Sequence, residues 1–228
     1  MNETLLSVLA LVPALVIAIV FHEVAHGYVA LLLGDPTALE QRRLSLNPLR
    51  HVDLFGTLAL PGMLALAGLP VFGWAKPVPV NQRRLRNPRF GMMAVAVAGP
   101  LTNLVLATVG AVALGLLARG LSAAPGPVAT FFFSALQGFI LINIFLALFN
   151  LLPIPPFDGS HIVEGVLPRG AARAYANSRR YAFPAVILLL VVLPWLFPQL
   201  DVVQRLVGPP VGWALEQFQR LAMAVAGE

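Results

Sequence analysis

The sequence predicts an all-α polytopic membrane protein: a bundle of about four to six transmembrane helices with a re-entrant hairpin and a short extended or β segment. Three observations point there. Of 228 residues only 11% are charged and 58% are hydrophobic, with mean hydropathy +0.83, whereas soluble domains carry about 25% charged residues. Long apolar runs recur, as a hydrocarbon layer about 30 Å thick demands. The 15 Lys and Arg residues sit in short clusters between those runs, the pattern that orients a chain in a membrane. They form no continuous stripe interleaved with aromatics, so neither the net charge of +5 nor a pI near 10.7 indicates a nucleic-acid partner. The expected partner is the lipid bilayer. With no cysteine, disulfides, Cys-ligated zinc, iron–sulfur clusters and thiol nucleophiles are excluded. A metal would have to be held by His, Asp or Glu.

The first apolar run extends from about Leu5 to Leu33 and is preceded by Asn2 and Glu3. It lacks the basic start of a signal peptide and reads as a retained transmembrane helix. Pro13 allows a kink, and Gly34-Asp35-Pro36 is a strong stop. After a polar stretch comes a shorter apolar run, Leu54 to Phe72, broken by Gly56, Pro61, Gly62, Gly68 and Pro70. Gly73 to Asn81 has alternating prolines, which exclude helix and suit an edge strand. Beyond the basic segment Arg83 to Arg89, helices are predicted at about Gly91 to Ala118 and Thr130 to Asn150, joined around Pro125-Gly126-Pro127. A Pro-rich turn, Leu152 to Gly159, stops the second. A short amphipathic helix to about Val166, a basic loop from Arg169 to Arg180 and an apolar run from Tyr181 to Phe197 follow. Asp201 to Ala226, with Arg205, Glu216 and Arg220 along it, fits an interfacial helix or a weak span. Residues 1–228 therefore read as one integral membrane domain, with a core over 5–166 and C-terminal helices over 181–226.

The basic clusters decide how the second run sits. If Leu54 to Phe72 crossed the membrane, Arg42, Arg43 and Arg50 would lie opposite Lys76, Arg83, Arg84, Arg86 and Arg89, against the positive-inside rule. As a re-entrant hairpin it keeps both clusters cytoplasmic and the N-terminus external.

Inside the first helix lies Phe21-His22-Glu23-Val24-Ala25-His26-Gly27. His22 and His26, four apart, project from one face and can grip one zinc ion, with Glu23 beside the metal as general base. A charged residue in the middle of a transmembrane helix costs about 2.5 kcal/mol even on mild scales, so three ionisable groups in one turn imply a partner. Zinc in a catalytic site takes three protein ligands. Asp158 stands out as the third because it follows a helix-breaking turn, where unwound backbone at membrane depth must line protein or a polar cavity. On spacing alone it serves equally as a ligand or as the N-cap of the next helix. His161 could approach the metal or stabilise charge near it. His51 reads as an interfacial residue. Gly99, Asn103, Ala107, Ala111 and Gly115 recur every fourth position as a small-residue row for close helix packing, with Asn103 as an interhelical hydrogen-bonder. Asn143 reads as helix glue.

His22-Glu23-Val24-Ala25-His26 in an N-terminal transmembrane helix, together with Asn150-Leu151-Leu152-Pro153-Ile154-Pro155-Pro156-Phe157-Asp158-Gly159, resembles the site-2 protease family of intramembrane zinc metalloproteases, in a compact form without a PDZ-like domain. The resemblance covers about residues 17 to 165. It implies one zinc per chain on His22, His26 and Asp158, with Glu23 as catalytic base. Gly99-Pro100-Leu101-Thr102-Asn103 and the stretch from Phe72 to Asn81 also look like the family, which implies supporting or substrate-binding roles for Asn103, Asn150, Gly73, Trp74, Ala75 and Lys76. Phe157 stands where the pattern usually has Leu. The implied activity is cleavage within or near transmembrane segments of membrane-protein substrates, as in regulated intramembrane proteolysis, in a multi-pass protein of the cell membrane. The site would lie about 18 Å from the stop at Gly34, toward the cytoplasmic side. A metal-ion transporter or metal-dependent membrane scaffold is the alternative that two His on a helix also allow.

Overall fold

The computed structural model describes residues 3–69, 73–120, 126–197, 199 and 202–227, and these contain ten α-helices. These are α1 (Glu3–Leu32), α2 (Thr37–Glu40), α3 (Leu60–Leu66), α4 (Pro88–Arg119), α5 (Pro127–Asn150), α6 (Gly159–Val166), α7 (Arg169–Asn177), α8 (Ala182–Ile187), α9 (Leu193–Leu196) and α10 (Val202–Ala226). Both α4 and α5 begin about three residues earlier than the sequence pattern predicts. Each has proline in its first turn, where no intrahelical N–H is lost. Asn87 caps α4 by accepting from Phe90 N–H. Pro70, Phe72, Pro125 and Asp201, which mark expected turns or ends, lie outside the described residues.

Among the described residues, Ala10–Leu32, α4 and α5 are long and apolar enough to cross a membrane. Arg169–Tyr181 with Pro184–Leu196 makes a fourth, broken span if counted together. That is the low end of the expected four to six. The chain is a membrane protein, and its spans carry large apolar side chains on their outer faces, Leu11, Leu101, Val105 and Phe132 among them.

α4 is the central helix, and α1, α5 and α10 all pack on it. Lipid is as apolar as a leucine side chain, so close approach and amide hydrogen bonds hold such helices together. The small-residue row supplies both. Gly99 faces His22 and His26 of α1. Asn103 donates to Ala18 O of α1 (3.1 Å) and Asn143 Oδ1 of α5 (2.9 Å). Gly115 lies against Ala222 and Val225 of α10. Ala107, Ala111 and Leu114 of α4 share one core with Ile140 and Ile144 of α5 and with Val207, Val211 and Ala214 of α10. The C-terminal helix thus completes the bundle core.

Leu54–Ala59 forms a π-helical turn that leads into α3. Its 13 residues reach about 20 Å, short of a bilayer core of about 30 Å. The segment turns back at Gly68, which has φ +67°, and its exit lies beside its entrance. Trp74 N–H donates to Gly56 O (3.0 Å), Thr57 Oγ1 to Trp74 O (2.9 Å) and Lys76 N–H to His51 O (2.8 Å). Gly56 is required here, because the Trp74 indole occupies the place of a Cβ. Arg43 donates to Lys76 O (2.9 Å) and Arg84 pairs with Glu40 (2.6 Å), so the two basic clusters share one end of the molecule. This is the hairpin that the charge pattern predicts.

Two expectations are corrected. No β-strand is present among the described residues, so the strand expected over Gly73 to Asn81 is not formed. Pro77 and Pro79 bring no N–H, while the N–H groups of Val78 and Asn81 go to the carboxylates of Glu23 and Asp35. The expected basic loop from Arg169 to Arg180 is instead α7 plus a 3₁₀ turn, Ser178–Tyr181, in keeping with its alanines, the strongest helix formers. His51 is buried, 3% exposed, with Nε2 bonded to Ser45 O (2.7 Å).

Candidate metal centre

The centre is built on the seam between α1 and α4, which run antiparallel. His26 and His22, four apart on α1, meet Val95, Gly99 and Asn103, spaced by four on α4, in reverse order. His26 Nδ1 bonds Val95 O (2.7 Å) and His22 Nδ1 bonds Asn103 Oδ1 (2.5 Å). Gly99, midway between Val95 and Asn103, leaves the space both rings fill. A Cβ there would come within 2.5 Å of His26 Nε2 and 2.6 Å of His22 Nε2. Both Nδ1 partners are acceptors, so each Nδ1 carries a proton and, in the neutral ring that binds a metal, Nε2 presents its lone pair.

Asp158 arrives from the turn after α5. Phe157, buried, packs edge-on against Phe149 of α5 at 4.6 Å, so the aromatic departure from the usual Leu is absorbed by a neighbouring ring. Gly159 abuts the Leu151 and Leu152 carbonyls, leaving no room for a Cβ. Asp158 precedes α6 with helical φ and ψ, and its side chain makes no capping bond. Its Oδ2 instead lies 3.1 Å from His22 Nε2 and 3.3 Å from His26 Nε2. All three donor atoms fall within 4.8 Å of one another.

This set fits zinc. Bonds of about 2.0–2.1 Å in a tetrahedron separate neighbouring ligand atoms by about 3.3 Å, close to the two distances seen. Two imidazole lone pairs and a carboxylate facing each other are relieved of their repulsion by a metal cation or by protons between them. The rings are also oriented from behind by hydrogen bonds to the other nitrogen, as metal-ligating histidines require.

Glu23 is half-buried beside the histidines, with Oε2 accepting from Val78 N–H (2.8 Å). It lines a cavity of about 460 Å³ together with His22, His26, Asp158, Asn150 and His161.

Known proteins similar to this chain are named as zinc metalloproteases. A sequence model of Peptidase family M50 matches residues 117–193, the part that contains Asp158. YwhC of Bacillus subtilis, named as a zinc metalloprotease, is 42% identical over 85% of this chain and 87% of its own length. The chain belongs to peptidase family M50. Rip2 of Mycolicibacterium smegmatis, named likewise, is 31% identical over 75% of this chain and 62% of its own. Rip2 of Mycobacterium tuberculosis strain H37Rv is 27% identical over 89% of this chain and 77% of its own. No solved structure matches.

In this M50 chain, six of the residues singled out in the sequence meet at one cavity: His22, Glu23, His26, Asp158, Asn150 and His161. Asn103 stands behind it, fully buried. Gly73, Trp74, Ala75 and Lys76 are not brought to the cavity wall. They close the hairpin, Gly73 against Gly56 and Pro61 and Trp74 against Phe55 at 6.0 Å. The next residues, Pro77, Val78 and Val80, form the wall instead.

Arg179 also reaches the cavity and was not foreseen. It reads in the sequence as one of several loop arginines, and nothing local separates it from Arg180. Burial, and then the charge of Arg179, push the His161 imidazole down to about 4. The role of Val95 is likewise hidden in the sequence, because it acts through a backbone carbonyl.

Proposed function

We propose that the chain is an intramembrane zinc endopeptidase, one zinc per chain, hydrolysing peptide bonds within or near transmembrane segments of membrane proteins. The observation that carries the reading is the convergence of His22 Nε2, His26 Nε2 and Asp158 Oδ2 beside Glu23. Held by these atoms, zinc would supply a Lewis acid that brings the pKa of a water to about 7. Glu23 is the proposed base. Its Oε2 is taken by Val78 N–H, so Oε1 receives the proton of the attacking water and returns it to the leaving nitrogen. Asn150 Nδ2 donates one proton to Leu146 O (2.9 Å), which leaves a second for a substrate carbonyl.

The cavity size supports an unwound substrate. A helix about 10 Å across fills 460 Å³ with about one turn, and its carbonyls are occupied by its own hydrogen bonds. Local unwinding frees the scissile carbonyl and narrows the chain. The basic residues gathered at the hairpin end support a cytoplasmic location for that end and for the cavity beside it.

Glu23→Gln tests the reading. Purified in detergent, this variant is expected to bind zinc in wild-type stoichiometry and to lose cleavage of a membrane-embedded test peptide by a thousandfold or more (about 10³). Wild-type cleavage would overturn the mechanism, and metal uptake into proteoliposomes that survives Glu23→Gln would instead support a transporter.

A further inference from the structure

The cavity that Glu23 lines is also walled by His161 of α6 and Arg179 of the 3₁₀ turn that follows α7. Tyr175 OH donates to Pro153 O (2.8 Å) and Ser178 Oγ to Tyr175 O (2.7 Å), which ties that turn to the loop that carries Asp158. Arg179 is thereby set above α6. Its Nη2 meets Glu164 and also donates to His161 Nδ1 (2.9 Å). His161 lies one turn beyond Asp158, its N–H bonded to Asp158 O (2.9 Å).

A guanidinium has five donors and no acceptor. The Arg179 bond therefore requires an unprotonated Nδ1, and the single ring proton of neutral His161 must sit on Nε2. His22 and His26 are held in the other tautomer by their acceptors. One cavity thus contains two imidazoles that present lone pairs and one that presents an N–H. That N–H has no hydrogen-bond partner among the described residues.

We infer that His161 donates its Nε2–H to the scissile carbonyl oxygen as negative charge develops there, with Arg179 and Glu164 as positioning residues that fix its tautomer. No proton leaves His161 in this step; it gives a hydrogen bond to the oxygen and keeps its N–H throughout. Donors preorganised toward a developing oxyanion are worth about a hundredfold to a thousandfold in kcat each. The role rests on the peptidase reading above and adds to it, after Asn150, a second participating side chain beside the base.

The test uses the full-length protein in detergent with zinc and a cleavable transmembrane test peptide. His161→Phe, which keeps a ring without a donor, is expected to lower kcat about a hundredfold or more while zinc stoichiometry stays at wild type and KM moves less than about threefold. His161→Gln, which can offer an N–H near the Nε2 position, is expected to recover at least a tenth of wild-type kcat. Ring-nitrogen NMR of histidine-labelled protein should show His161 as the Nε2–H tautomer, and Arg179→Met should leave a mixture of tautomers and a smaller loss of kcat. The inference is overturned if His161→Phe keeps wild-type kcat, if His161→Gln is as slow as His161→Phe, if zinc is lost with the ring, or if the wild-type ring carries its proton on Nδ1. Cleavage that persists in Glu23→Gln would instead refute the base assignment, so the two failures read differently.

Discussion

Along the α1–α4 seam the site is held by buried atoms of the spanning helices themselves, whereas on its open side the stretch from Gly73 to Asn81 hangs on carboxylates that reach it from α1 and its end. In the seam, Val95, Gly99 and Asn103, spaced by four on α4, meet His26 and His22, four apart on α1. The other side is a strap: Val78 N–H on Glu23, Asn81 N–H on Asp35 and the Lys76 carbonyl on Arg43. A seam of this kind fixes ligand positions to fractions of an ångström and has no slack to give. A strap holds position through separate polar contacts, each replaceable at modest cost. Damage to the seam should therefore appear in metal content, and damage to the strap in stability.

The largest effect is expected at Gly99. In Gly99→Val the added Cβ alone comes within 2.6 Å of both imidazoles, and neither ring can withdraw without breaking its Nδ1 bond. The purified variant should contain no zinc by elemental analysis. A full complement of zinc would show that the seam has more slack than this packing implies.

Next comes Asn103→Leu, of similar volume and without the amide. An interhelical hydrogen bond in a membrane averages about 0.6 kcal/mol, so the bundle should survive. His22 Nδ1, however, loses the acceptor that sets its tautomer and angle. Loss of such an outer partner costs about 10–100-fold in metal affinity, measurable by competition with a chelator. Unchanged affinity would mean that His22 is positioned by the Gly99 recess alone.

The contrast also explains what could be read from the sequence. His22, Glu23 and His26 are legible because their chemistry is local, three residues on one helical turn in a setting where charge is costly. The hairpin is legible from the distribution of arginines. Asp158 is half legible: the turn marks it, and only the unused cap geometry and the two imidazole distances separate ligand from cap. Gly99 and Asn103 show their periodicity, while the particular helix each one faces is a tertiary fact. The strand expected over Gly73 to Asn81 failed because local propensity cannot see that distant carboxylates claim its N–H groups. Arg179 was hidden by its neighbours, since charge counting treats every arginine in a run alike.

On the strap, Asp35 is the strongest fixture. It is fully buried, and its oxygens accept from Thr37 N–H (3.0 Å), Thr37 Oγ1 (2.5 Å) and Asn81 N–H (2.5 Å). Burial alone would raise its pKa. The Thr37 hydroxyl, the two N–H donors and the charge of Arg84 outweigh it and hold the carboxyl below the usual range. Because the folded value is depressed, this contribution is complete above the unfolded value of about 3.9 and is lost as pH falls through the folded one. Asp35→Asn should cost about 1.5–3 kcal/mol at neutral pH, seen as a lower thermal midpoint in detergent, with zinc content intact. The gap between variant and wild type should close in acid. A gap constant down to pH 3 would mean that the carboxylate charge contributes nothing to the strap.

The smallest effect is expected where the hairpin closes. Thr57 Oγ1 donates to Trp74 O (2.9 Å) and accepts from Asp53 N–H (3.0 Å), both at the exposed edge of the molecule. Thr57→Val removes these bonds at nearly constant volume. Water can replace them, so the loss should be about 0.5–1 kcal/mol, too little to move zinc binding. It should still register locally, because Trp74 N–H depends on the same closure through Gly56 O. Amide exchange at Trp74 is expected to quicken severalfold while exchange in α4 around Gly99 stays at the wild-type rate. Equal acceleration at both places would mean that hairpin and seam open together as one cooperative unit, and the distinction between a rigid seam and an adjustable strap would fail.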